Sequence, residues 1–112
     1  MDDERIGEKD AAVSAWLSAQ GWLVTERHYN EQLSMYLWRS SEYGAATVTL
    51  GITRNVFDDH TMLALVRVLD GLRTQQHLQA EPEKCTIIKT SDIGSPELVQ
   101  LDELPKDIIR SR

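Results

Sequence analysis

Three groups of residues in this sequence have the types and spacing that chemistry needs. Glu26 and His28 stand two apart, which puts a carboxylate and an imidazole on one side of a strand, the arrangement of an acid/base pair. Asp58-Asp59-His60 is the densest run of ligand-type side chains, the raw material of a cation site or a second acid/base cluster. Cys85 is the single cysteine, with no histidine near it in sequence. Each group also has a plain structural account. Glu26 and His28 suit the fraying end of a strand. Two aspartates ahead of a helix cap it and favour the positive end of its dipole. A lone cysteine packs as a small hydrophobe. The structural accounts are the stronger, because nothing else completes a site. His28, His60 and His77 form no His-x-His or His-x3-His pair, there is no Gly-x-Ser-x-Gly elbow, and the six glycines are scattered singly. The sequence therefore predicts no metal, no cofactor and no catalytic residue. A small-molecule site or small hydrolase using Glu26, His28, Asp58, Asp59 and His60 is the alternative.

Composition sets the frame for these residues. The 112 residues are 41% apolar and 27% charged, enough to bury a core without disulfides or metal, so one domain over 1–112 is expected. Twelve basic against eighteen acidic side chains leave a formal charge of −6, which speaks against a general phosphate-backbone binder. A single cysteine forms no intramolecular disulfide. The longest apolar run, Met62 to Val66, is five residues, where a membrane span needs about 20. The acidic start is followed by no apolar segment, so no signal peptide is expected. Together these point to the cytoplasm.

The elements that must position the candidates follow from periodicity. A helix from about Asp3 to Gln20 carries Ala12, Val13, Trp16 and Leu17 on one face, with Gly21 as its C-cap. Strands are predicted at Trp22–Tyr29, Leu33–Ser40 and Ala46–Arg54, joined by short links as an antiparallel meander. Asp58 or Asp59 then caps a second helix reaching about His77, lined by Met62, Leu65, Val66, Leu69 and Leu72. A short fourth strand at Cys85–Thr90 and a last helix over Pro96–Leu104 complete the order α-β-β-β-α-β-α, with a loose tail from about 106 to 112. The expected fold is α+β: a two-layer sandwich with the meander packed under two helices.

Sheet parity then selects a surface. Placing Trp22, Val24, Leu33, Met35, Leu37, Val48, Leu50 and Ile52 toward the helices turns Glu26 and His28 inward. It leaves Thr25, Arg27, Tyr29, Tyr36, Trp38, Thr47, Thr49 and Thr53 on the opposite face. Tyr29, Tyr36 and Trp38 clustered on an open face, edged by Arg27 and Arg39, are expected to bind a protein partner or a second copy of the chain. The competing account has the segment after Ile93 covering the rings with Leu98, Leu101, Leu104, Ile108 and Ile109.

Three resemblances of element order accompany this. The order α-β-β-β-α-β suits a metal-dependent nuclease core, but such a core needs an Asp followed by Glu-x-Lys on the next strand. The third strand here offers Thr and Val. Helix, three strands and helix resembles the double-stranded-RNA-binding domain, whose last helix begins with basic residues. Asp58-Asp59-His60 occupies that place with the opposite sign. In size, charge and order the chain is also similar to secretion chaperones and toxin-immunity proteins. The sequence thus reads as a non-catalytic, chaperone-, adaptor- or immunity-like binding domain rather than a nucleic-acid or membrane protein.

Overall fold

The computed structural model describes residues 2–41 and 47–102, with side chains from Gly7 onward. Its helices are α1 (Asp2–Ala19), α2 (Arg54–Asp59), α3 (Met62–Gly71) and α4 (Thr74–Ala80). Its strands are β1 (Leu23–Asn30), β2 (Met35–Ser41), β3 (Thr47–Thr53), β4 (Cys85–Thr90) and β5 (Pro96–Leu101). The strands form one sheet in the order β1-β2-β3-β4-β5, antiparallel except for the parallel pair β3–β4. The α+β class and the order through the fourth strand agree with the sequence. Among the described residues no helix is long and apolar enough to cross a membrane.

The main core lies between the helices and one face of the sheet. It joins Val13, Trp16 and Leu17 of α1, Val56 and Phe57 of α2, and Leu65, Leu69 and Leu78 of α3 and α4. Against them pack Trp22, Trp38, Val48, Leu50, Ile52 and Ile88. All three indole N–H groups find acceptors: Trp16 Nε1 donates to Asp70 at 2.8 Å, Trp22 Nε1 to Gln75 at 2.7 Å and Trp38 Nε1 to Asp10 at 2.9 Å. A buried ring with a polar edge demands such a partner.

The second predicted helix is broken into pieces. Thr61, not Asp58 or Asp59, caps α3, its hydroxyl accepting from the Ala64 N–H at 3.2 Å. Helix α3 ends where Arg73 takes a left-handed φ of 56°. The buried Thr74 hydroxyl then donates to the Leu69 carbonyl at 2.8 Å, satisfying an acceptor near the end of α3.

Pro96–Leu101, expected as a helix, is instead β5. Ser95-Pro96-Glu97 does read as a helix start, but β4 buries Thr86, Ile87 and Ile88 and needs a neighbour on its open edge. A tight turn delivers it: Ser91 N–H donates to the Ser95 carbonyl at 2.7 Å, and Gly94 supplies a φ of 86°. The predicted tail, 106–112, lies outside the described residues, as do Leu104, Ile108 and Ile109.

The expected parity of β2 is reversed. Trp38 pairs with Leu50 and Tyr36 with Ile52, so both rings point to the helices, while Met35 and Leu37 face the other way. Trp38 keeps 1% of its surface. Period two could not decide this, since both sides of β2 are apolar. Ring size and the Asp10 acceptor favour the helix side. A β-bulge between Val24 and Glu26 adds the second correction. One extra residue flips every side chain after it. Val24 therefore faces the helices, and so do Arg27 and Tyr29, which pair with Trp38 and Tyr36. Glu26 and His28 face the far side instead of pointing inward.

That far face carries its own small cluster: Leu33, Met35, Leu37 and Ile87, flanked by Val99 and Leu101. Gly51 lies at its centre. A Cβ there would stand 2.7 Å from Met35 Sδ and 3.2 Å from Leu37 Cδ2, so the missing side chain is what lets those two lie flat across β3.

Candidate functional site

Charged residues cluster where the first half of α1 meets the sheet edge and α2. Asp10 accepts from Trp38 with one carboxylate oxygen and contacts Arg27 Nε at 3.2 Å with the other. Lys9 donates to the Phe57 carbonyl at 2.7 Å and sits 5.4 Å from the Phe57 ring centroid. Phe57 stacks on Tyr36 (centroids 4.1 Å apart, 26° between planes), and Tyr36 meets Tyr29 at 4.6 Å. Arg54 Nε contacts Asp58 at 3.2 Å. The Asp58 carboxylate, then the Tyr29 hydroxyl, hydrogen-bond Arg54 and raise its pKa further. Burial, then the negative charge of Asp58, pushes the Tyr36 phenol above its ordinary value.

These contacts redistribute the sequence candidates. Tyr29, Tyr36, Trp38 and Arg27 all lie on the helix side, and only Arg39 points to the far side. The five do not form one open aromatic face. Trp38 is a core ring, Tyr36 is half-buried and packed against that core, and Arg27 is an ion-pair partner.

The alternative candidates separate into two places. Glu26 and His28 stand side by side on edge strand β1, Oε2 to Nδ1 3.7 Å, with both side chains about half exposed. A small open pocket of about 300 Å³ lies at the bulge, lined by Ser14, Val24, Thr25, Glu26 and Arg27, without His28. Asp58, Asp59 and His60 line a different, larger groove of about 400 Å³ together with Glu8, Lys9, Thr61 and Met62. His60 Nδ1 lies 2.7 Å from the Val56 carbonyl, which fixes the ring at the C-terminal end of α2. Among the described residues no group of three or more His, Cys, Asp or Glu is placed to hold a metal ion.

Sequence reasoning missed Lys9, Asp10, Phe57 and Leu63. Asp10 had a detectable signal: three tryptophans in a small core require three acceptors, and few acids sit on the apolar edges of helices. Leu63 had none, because an exposed leucine in a helix turn reads like any apolar residue. It is 61% exposed, and Met62 beside it 43%.

Compared with known proteins, the chain matches no family model, no curated protein and no solved structure.

Proposed function

We propose that this protein is a non-catalytic binding module that takes another polypeptide at the groove between α1 and the α2–α3 junction. The observation that carries the reading is Met62, 43% exposed and lining a groove with Glu8, Lys9, Asp58, Asp59, His60 and Thr61. Lys9, Asp10 and Arg54 each serve a contact inside the structure. An apolar rim with acidic walls fits a partner segment that sets an apolar side chain beside Lys or Arg. The formal charge of −6 favours such a partner over a second copy, since two acidic grooves repel.

Fluorescence anisotropy with two peptides of identical apolar residues, one flanked by lysines and one by glutamates, tests this. The basic peptide binds, weakens with added salt, and loses about tenfold in affinity (roughly 1.4 kcal/mol) to Met62→Asp. Equal binding of both peptides, or an unchanged affinity in a folded Met62→Asp variant, rules the groove out.

A further inference from the structure

His60 lines the groove between α1 and the α2–α3 junction, and one of its two ring nitrogens is already committed. Its Nδ1 lies 2.7 Å from the Val56 carbonyl. A carbonyl oxygen can only accept, so Nδ1 carries the proton. The neutral ring then keeps its lone pair on Nε2, across the ring from the α2 backbone. Around His60 stand Glu8 and Lys9 from α1, Asp58 and Asp59 from α2, and Thr61 and Met62 at the start of α3. The Lys9 ammonium rests on the Phe57 carbonyl at 2.7 Å, and the Arg54 guanidinium lies 3.2 Å from Asp58. Three carboxylates against these two cations leave a formal charge of −1, and a proton on His60 brings it to zero.

We propose that His60 makes this groove selective for a cationic segment and releases that segment on acidification, an inference that rests on the groove being the peptide site. Neutral His60 accepts a lysine or arginine N–H at Nε2. Protonated His60 turns that acceptor into a donor and sets a positive charge beside the incoming one. Imidazole changes its charge between pH 5 and 8, a range over which carboxylates, lysines and arginines ordinarily keep theirs. The form that binds a cation is the deprotonated one, so affinity is full above the imidazole's titration and falls as pH drops through it. Linkage makes the effect reciprocal: a bound cationic peptide makes His60 harder to protonate. The other two histidines stand apart from the groove. His28 lies beside Glu26 on β1, and His77 Nδ1 lies 3.0 Å from the Arg73 carbonyl in α4. They report the general loss of negative charge on acidification.

The probe is the lysine-flanked peptide, N-acetylated and free of histidine, with its affinity measured by anisotropy at pH 8 and pH 5.5 at constant ionic strength. The parent chain loses at least about fivefold in affinity on acidification, and so does the variant carrying His28→Gln and His77→Gln, whereas His60→Gln changes by less than about twofold. Ring-proton NMR gives a second measurement that needs no variant: saturating peptide moves the His60 titration to lower pH and leaves those of His28 and His77 in place. A parent affinity independent of pH, or the parent's full loss retained in His60→Gln, overturns the role of His60. The groove itself survives that result if lysines are still preferred to glutamates at pH 8. A His60 titration that saturating peptide does not move overturns the proposal in the same way. Equal binding of the lysine and glutamate peptides at pH 8 removes the groove and this inference together.

Discussion

At the scale of single residues, Asp10 joins two contacts of very different worth. Toward Trp38 it satisfies an indole N–H on a ring that is nearly inaccessible; toward Arg27 it meets a guanidinium whose side chain is 55% exposed. Asp10→Ala leaves the indole donor orphaned and costs about 1–3 kcal/mol, whereas Arg27→Ala costs less than about 1 kcal/mol. Urea midpoints at constant slope check both values. Equal losses would mean that the ion pair, not the indole, holds the α1 edge. Tyr36 gives a pH dependence of definite sign. Its folded pKa lies above that of an ordinary tyrosine, mainly through burial. The native state therefore favours the protonated phenol, so this contribution is intact below the unfolded pKa and is lost as pH rises through the folded one. Tyr36→Phe is expected to flatten the loss of stability above pH 10 relative to the parent chain. Denaturation at a series of alkaline pH values measures it, and parallel curves would count against it.

At the scale of elements, what the sequence revealed and what it hid divide along physical lines. Helix α1 and strand β3 were legible because each has one apolar and one polar side. Val48, Leu50 and Ile52 alternate with Thr47, Thr49 and Thr53, and only one assignment buries the aliphatics. Strand β2 was not legible, since Met35 and Leu37 alternate with Tyr36 and Trp38 and either choice buries something apolar. In β1 a single bulge at Thr25 undid the parity of everything after it. Strand β5 was hidden by a local helix-start signal that the unpaired edge of β4 overrode. The candidate site suffered most, because a face assignment carries all its residues with it. Gly51 was equally silent in sequence. Its meaning lies in the register that sets Met35 and Leu37 across it. Gly51→Ala gains strand propensity but overpacks the far face, and overpacking prevails in a close-packed layer, at about 1–3 kcal/mol. Met35→Ala removes the sulfur that the new methyl would strike, so the double variant loses less than the two single losses added. Thermal denaturation of the four chains closes the cycle, and simple additivity would show that the clash is relieved elsewhere.

For the molecule as a whole, burial is distributed across the sheet rather than along the chain. Strand β3 is flanked by β2 and β4, buries Val48, Leu50 and Ile52 completely on one side, and holds Gly51 under Met35 on the other. Strand β1 pairs only with β2, carries the bulge, and runs Thr25, Glu26, Arg27 and His28 through solvent. Local opening follows such differences, because a segment with few buried contacts can leave the sheet while the remainder stays folded. Releasing β1 sacrifices Val24 and the Tyr29–Tyr36 contact and leaves the helix-side core in place. Releasing β3 exposes both faces and breaks the sheet in two. Amides of Val48–Ile52 are therefore expected to exchange only through global unfolding, with a denaturant dependence equal to that of the equilibrium transition. Those of Glu26–Asn30 are expected to exchange at lower free energy, nearly independent of denaturant. Native-state hydrogen exchange across a guanidinium series distinguishes the two. If β1 exchanges together with β3, the edge strand belongs to the same cooperative unit, and Arg27–Asp10 with Trp38–Asp10 couples that edge to α1 more tightly than its exposure implies.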